Sequence, residues 1–268
     1  MDILLNTFQK VQQNQQGIFM AGIVPGYPNI QTSFEIAKTV IRAGADILEL
    51  SASFSDPVAD GPTLQQAHSK VLQQGISKAQ IFQLYKKIRA FSPNTPLFVI
   101  EYANCVYRPG INNYYQNLAN SGVDALLIPD LSLEEASPFL KAAREHKINQ
   151  VFIIAPTTPK ERLVEISKVS SGLLYLVTIT GVTGQKEVFL QETATLIQKV
   201  KQATDLPLIA GFGISKPQHV QQALSAGANG VVTCSAIINL INQCLDEKQV
   251  MLKKLSSYIQ EMKNSTRI

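Results

Sequence analysis

The sequence predicts an α/β protein, a single (β/α)8 TIM barrel with a short N-terminal helix, occupying residues 1–268 as one domain. Three observations carry this expectation. Strand-like apolar segments alternate with helix patterns along the chain, eight of them in turn. The strands are nearly continuous apolar runs, as in parallel sheets buried on both faces. The length of 268 residues suits eight such units in one barrel. A doubly wound open sheet is the runner-up, but it calls for a glycine-rich dinucleotide turn after the first strand, and Gly26-Tyr27-Pro28 is not one.

Residues 2–13 place Ile3, Leu4, Phe8 and Val11 at helical spacing, giving an amphipathic helix suited to cover a barrel's bottom. Phe19–Val24 reads as the first strand and ends in a Pro-Gly-Tyr-Pro turn. A helix follows over Ser33–Ala43, and Ile47, Leu48 and Leu50 mark the second strand. Helices are expected over Thr63–Gln74 and after the Ser77/Gln80 capping box. Pro96–Glu101 is the third strand, Asn113–Ser121 a helix and Ala125–Ile128 the fourth strand. Ser132 and Glu135 box a helix that ends near His146. Val151–Ile154 is the fifth strand, and Pro159 takes the first position of the next helix. Leu173–Thr178 is the sixth strand, followed by a Gly/Thr loop and a helix over Leu190–Thr204. Leu206–Ala210 is the seventh strand, Ser215 and Gln218 box a helix, Gly230–Thr233 is the last strand, and the chain is helical from Ile237. AGADILEL, SGVDALLIPD and AGANGVVTC echo one another, each with a helix-ending glycine just before a strand.

Composition excludes several classes of function. The chain is 45% hydrophobic and 16% charged, with a net charge of +4 and no basic run long enough for a nucleic-acid arm. Its three cysteines are too few and too far apart for a disulfide framework or a zinc site, and fit free thiols in a reducing cytoplasm. The N-terminus lacks the pattern of a signal peptide, and no apolar run approaches the ~18 residues of a membrane span.

Barrel chemistry gathers where strands end and βα loops begin. Glu49 sits inside an apolar strand, where a carboxylate is costly unless paired, neutral or needed. Asp60, in the following loop, could face it across a cleft as an acid/base pair. The bland alternative is that Glu49 meets a basic partner and Asp60 caps a helix. Strand 3 supplies Glu101, Tyr102 and Asn104, with Glu101 expected to point away from the barrel interior and to be structural. The glycine-containing loops after strands 6, 7 and 8 suit an anion, and Ser235 opens a helix there. No strand carries a lysine for Schiff-base chemistry, and His68, His146 and His219 read as scattered surface residues. Carboxylate chemistry on a phosphorylated small molecule remains. Phe19, Ile100, Ile153, Tyr175 and Phe212 are candidates for an apolar pocket.

The run LELSASFSDPVADGP, followed in order by YAN, LLIPD, GVTG, GFGIS and SAII, resembles the tryptophan synthase alpha chain family over about residues 19–240. The resemblance implies a (β/α)8 barrel that cleaves indole-3-glycerol phosphate to indole and glyceraldehyde 3-phosphate without a cofactor. It also implies a beta-chain partner that carries pyridoxal phosphate, in an alpha2beta2 assembly. It makes Glu49 the general acid/base and Asp60 the second catalytic carboxylate. Tyr175 and Phe212 would line the indole pocket, Gly184, Gly213 and Ser235 would hold the phosphate, and Thr183 would lie in a lid loop. Asp56 and Asn104 would face the partner. The sequence departs from the family pattern at Ser51, Ala52 and Ser53, at Ser132, at Ile179 and at Cys234. Those departures motivate a second reading, a weakly catalytic subunit that mainly activates its partner. A different phosphosugar lyase or isomerase on the same barrel is a third.

Overall fold

The structure, a computed structural model, describes residues 2–177, 186–211 and 213–267. Its strands are β1 (Ile18–Ile23), β2 (Ile47–Ser51), β3 (Leu97–Ile100), β4 (Ala125–Leu127), β5 (Asn149–Val151), β6 (Ile153–Ile154), β7 (Leu174–Leu176), β8 (Leu208–Ala210) and β9 (Gly230–Thr233). All pairings are parallel, in the order β5-β4-β3-β2-β1-β9-β8-β7-β6. The two outermost strands in that order, β5 and β6, are separated only by Phe152. They form one interrupted stave, so the ring closes as eight staves and the expected barrel stands. At the interruption the Gln150 and Phe152 N–H groups donate to the Ser171 and Ser170 hydroxyls, at 2.8 and 3.2 Å.

The helices are α1 (Ile3–Gln13), α2 (Ile30–Arg42), α3 (Pro62–Gln73), α4 (Lys78–Phe91), α5 (Ala103–Tyr107), α6 (Ile111–Asn120), α7 (Ser137–His146), α8 (Lys160–Val169), α9 (Lys186–Ala203), α10 (Pro217–Ser225), α11 (Ser235–Asn242) and α12 (Lys248–Asn264). The Ser77/Gln80 capping box forms as expected. The other two boxes do not. Proline sets those starts instead: Pro138 lies in the first turn of α7 and Pro217 opens α10, each with φ already helical and no N–H to satisfy. Pro159 is the N-cap residue of α8 rather than its first position. The C-terminal helix is broken into α11 and α12 at residues 243–247, and α5 was not expected at all.

Strand alternation splits the apolar residues into two cores. Met20, Ile47, Phe98, Leu127, Val151, Tyr175, Ile209 and Val232 fill the ring, and Leu4, Phe8 and Val11 of α1 join them from its N-terminal end. The N-terminal helix therefore plugs the bottom, as its spacing suggested. Residues of opposite parity, such as Leu48, Val99, Leu126, Leu176 and Val231, face the helix layer. Phe19 is among them, so this candidate for the pocket belongs to the outer core: Ile18 and Met20 take the inward direction.

The echoed glycines share a structural role. Gly44, Gly122 and Gly227 adopt φ of +110°, +78° and +106°, which lets each helix turn back into a strand. Two residues on, Asp46, Asp124 and Asn229 accept from a backbone N–H in the first two residues of a neighbouring strand, at Phe19, Leu97 and Leu208 respectively. A cation seals each: Lys263, Arg89 and Lys201. One repeated device thus fixes the strand starts and leaves the opposite end free for chemistry.

Candidate active site

Glu49 shares the interior face of β2 with Ile47, one level nearer the strand's C-terminal end, and pairs in register with Gly22 and Phe98. It is 1% exposed. Its Oε2 accepts from the Tyr175 hydroxyl at 3.0 Å. On the β1 side only glycine fits: a Cβ on Gly22 would lie 2.6 Å from Glu49 Oε1 and 2.6 Å from Cys234 Cβ. Burial pushes the Glu49 carboxyl up to about 8; the Tyr175 hydrogen bond opposes this and the charge of Asp60 adds to it. At neutral pH Glu49 therefore holds its proton. The Tyr175 hydroxyl is pushed well up, first by burial and then by Glu49.

Asp60 lies at the end of the β2–α3 loop. Its Oδ2 accepts from the Tyr102 hydroxyl at 2.7 Å, and Tyr102 in turn accepts from the Ala59 N–H at 3.1 Å. Phe54 stacks on Tyr102 with centroids 4.9 Å apart. Loop and β3 end are thereby fastened together, and the Tyr102 phenol is driven up by burial and by Asp60. The carboxylate is partly exposed, while Glu49 is sealed. These unlike surroundings let two carboxyls take two roles.

Ile100 and Ile153 are half-buried and pack against the interior cluster around Tyr175, as a pocket wall requires. Gly213 has φ of +74°, and Ser235 opens α11 with an exposed side chain. Cys234 directs its side chain toward Gly22, its sulfur 2.8 Å from where a Gly22 Cβ would stand, so it joins the Glu49 wall. Thr183, Gly184 and Phe212 lie outside the described residues. Asp56 and Asn104 are both exposed beside the mouth. Glu101 points into the helix layer as expected, fully buried, where Lys78 and the Tyr114 hydroxyl hold it.

His68 is the residue that sequence reasoning misplaced. It is fully buried, not a surface residue, and its Nε2 lies 3.4 Å from Asp60 Oδ2. The contact misses hydrogen-bond geometry, and neither ring nitrogen has a partner among the described residues. The signal was available: Leu64, Ala67, His68 and Val71 form the buried stripe of α3, and the histidine sits on it.

These features define a class: a (β/α)8 barrel with two carboxyl groups of unlike surroundings at the C-terminal mouth of the ring. Among the described residues no group of histidine, cysteine and carboxylate side chains is arranged to hold a metal ion. The family model for the tryptophan synthase alpha chain matches residues 8–267, and the chain belongs to that family. A tryptophan synthase alpha chain from Methanothermobacter thermautotrophicus is 43% identical over 237 residues, 88% of this chain and 87% of that one. Tryptophan synthase from Mycobacterium tuberculosis superposes with a TM-score of 0.88 at 25% identity over the full length of both chains. A tryptophan synthase complex from Pyrococcus furiosus contains a chain that superposes with a TM-score of 0.84 at 32% identity, over 92% of this chain and 98% of its own.

Proposed function

We propose that this chain is the lyase subunit that cleaves indole-3-glycerol phosphate to indole and glyceraldehyde 3-phosphate, with Glu49 as general acid and base. The observation that carries the reading is a carboxyl sealed at the mouth of the ring and hydrogen-bonded by Tyr175, pushed up to about 8 by burial, with a second carboxylate adding to the shift. Protonated Glu49 delivers its proton to indole C3. The resulting carboxylate takes the proton of the glycerol hydroxyl on the carbon attached to C3. That oxygen forms the aldehyde carbonyl as the C3–carbon bond breaks, and its electron pair returns to the ring. Asp60 accepts a hydrogen bond from the ring N–H and offsets the positive charge that develops when C3 is protonated. Each such group contributes about 10²–10⁴ in rate.

In this reading Tyr175, Ile100, Ile153 and Phe212 enclose the indole. Gly213, Gly184 and Ser235 receive the phosphate, the last at a helix N-terminus that favours negative charge. Thr183 belongs to a lid. No step requires a cofactor in this chain. The partner is a beta chain carrying pyridoxal phosphate, in an alpha2beta2 assembly in the cytoplasm. Asp56 and Asn104 face it, together with the exposed apolar side chains of Val58 and Tyr107. A groove of about 630 Å³ lined by Phe54, Asp56, Val58 and Leu72 adjoins them. No helix of the described residues is long and apolar enough to cross a membrane.

The test is indole release from indole-3-glycerol phosphate by the chain in complex with its cognate beta chain. Release should fall by about 10²-fold or more in Glu49→Gln. An unchanged rate in that variant, or no release by the wild type, overturns the reading.

A further inference from the structure

We infer that His68 is a positioning residue for Asp60: its ring N–H closes onto Oδ2 when substrate is bound, so that Oδ1 is presented to the ring N–H of the indole. The inference rests on the lyase reading above and extends it to a residue outside the substrate pocket.

Two independent observations support it. The Tyr102 hydroxyl and His68 Nε2 converge on the same oxygen of Asp60, at 2.7 and 3.4 Å. No described residue bonds Oδ1. Tyr102 alone bonds that oxygen here; a second donor on it would fix the carboxylate's rotation and leave its other oxygen free. The second observation is the state of the imidazole itself. It is fully buried on α3, and both ring nitrogens lack a partner among the described residues. Buried polar groups are nearly always bonded, so a ring held this close to a carboxylate with neither nitrogen bonded is one contact short of satisfied. Hydrogen bonds at active sites commonly tighten from the free to the substrate-bound form. Making the bond needs a shift of a few tenths of an ångström together with a turn that aligns the carboxylate on the ring N–H, both within the reach of a loop side chain. Tyr102 donates to Asp60, and Asp60 in turn raises the proton affinity of Glu49. A carboxylate that is turned away would lose its grip on the indole nitrogen at the moment positive charge appears there.

The experiment uses the assembled complex with its beta chain. Steady-state cleavage is measured for wild type, His68→Leu, His68→Gln, Asp60→Asn and the His68→Leu/Asp60→Asn double variant. Leucine keeps the volume without a donor, and glutamine restores a donor close to the Nε2 position. Loss of a positioning partner costs about 10–100-fold, which should fall on kcat while KM, set mainly by the phosphate, moves less than about 3-fold. His68→Gln should recover most of the loss. In the Asp60→Asn background His68→Leu should cost less than about 2-fold more, because the group it positions is already gone. Equal losses for leucine and glutamine, or losses that add fully in the double variant, overturn the inference.

A second readout is independent of turnover. The chain has three histidines, so ring 15N signals in labelled protein are few, and His68→Gln identifies the one that belongs to His68. A non-cleavable 3-indolylalkyl phosphate should move the His68 signal in wild type and leave it in place in Asp60→Asn. A signal that stays still in wild type at saturation overturns the inference, even if cleavage is normal. Absence of cleavage by wild type with a moving His68 signal would instead sink the lyase reading and keep the contact.

Discussion

Replacing Glu49 with glutamine should shift folding stability in the variant's favour by an amount that grows with pH. The wild-type carboxyl is held at about 8 against an ordinary 4.5, chiefly by burial. Below pH 4.5 it is protonated in both the folded and the unfolded chain and costs nothing extra. Above that, the unfolded chain releases the proton and the folded chain keeps it, so folding stability falls by about 1.4 kcal/mol per pH unit. The fall continues until the folded carboxyl itself ionises near pH 8, after which the penalty is constant. A window of about 3.5 pH units, from 4.5 to about 8, makes the full penalty roughly 5 kcal/mol. Glutamine is neutral throughout and escapes it. Its amide N–H₂, set against Gly22 and the Cys234 side chain, has a cost of its own, but that cost is the same at every pH and cancels. Urea unfolding at pH 5, 6.5 and 8.5 measures the difference; the chain contains no tryptophan, so far-UV circular dichroism is the natural signal. The advantage of Glu49→Gln should increase by roughly 3–5 kcal/mol between the lowest and highest pH. A difference that is flat across the series refutes the sealed, proton-holding carboxyl and the acid-first order of steps with it.

Turnover should show the same group from the other side: kcat/KM should decline above about pH 8, where Glu49 loses the proton it must give to C3, and a rate that rises through that range contradicts the assignment. Gly22→Ala should nearly abolish cleavage and cost about 1–3 kcal/mol in urea unfolding, because the new methyl would sit 2.6 Å from Glu49 Oε1 on a strand with no room to retreat. Arg89→Met should destabilise by about 3 kcal/mol in the same assay without changing KM. It strands Asp124 and releases the carbonyls of Gly122, Ser92, Pro93 and Thr95 at the end of the barrel away from the site.

The barrel was legible because its signal is periodic. Apolar runs, helix stripes and the glycines that end α2, α6 and α10 repeat along the chain, and repetition survives an error in any one element. Individual helix starts were less legible. Ser132 with Glu135, and Ser215 with Gln218, have the right spacing for caps, but Pro138 and Pro217 settle the backbone earlier in energy and override them. The split at Phe152 was invisible, since it depends on Ser170 and Ser171 reaching across from the next connection. At the site, Glu49 announced itself as a charge in an apolar strand. Tyr102 was noticed without a role, because its bond to Asp60 spans 42 positions. The burial of His68 is legible from its place on the apolar stripe of α3 and not from its residue type.

The interrupted stave has a consequence for how the ring yields. Where other staves lend both their amides and their carbonyls to a neighbouring strand, here two amides depend on single hydroxyls, and the Phe152 carbonyl takes the Tyr175 N–H at a comparatively long 3.2 Å. Amide deuteration should enter the sheet first at this seam. The wall that gives way most easily is then the one bearing Ile153 and Tyr175, so the barrel breathes on that side, while the strand that carries Glu49 stays clasped between β1 and β3.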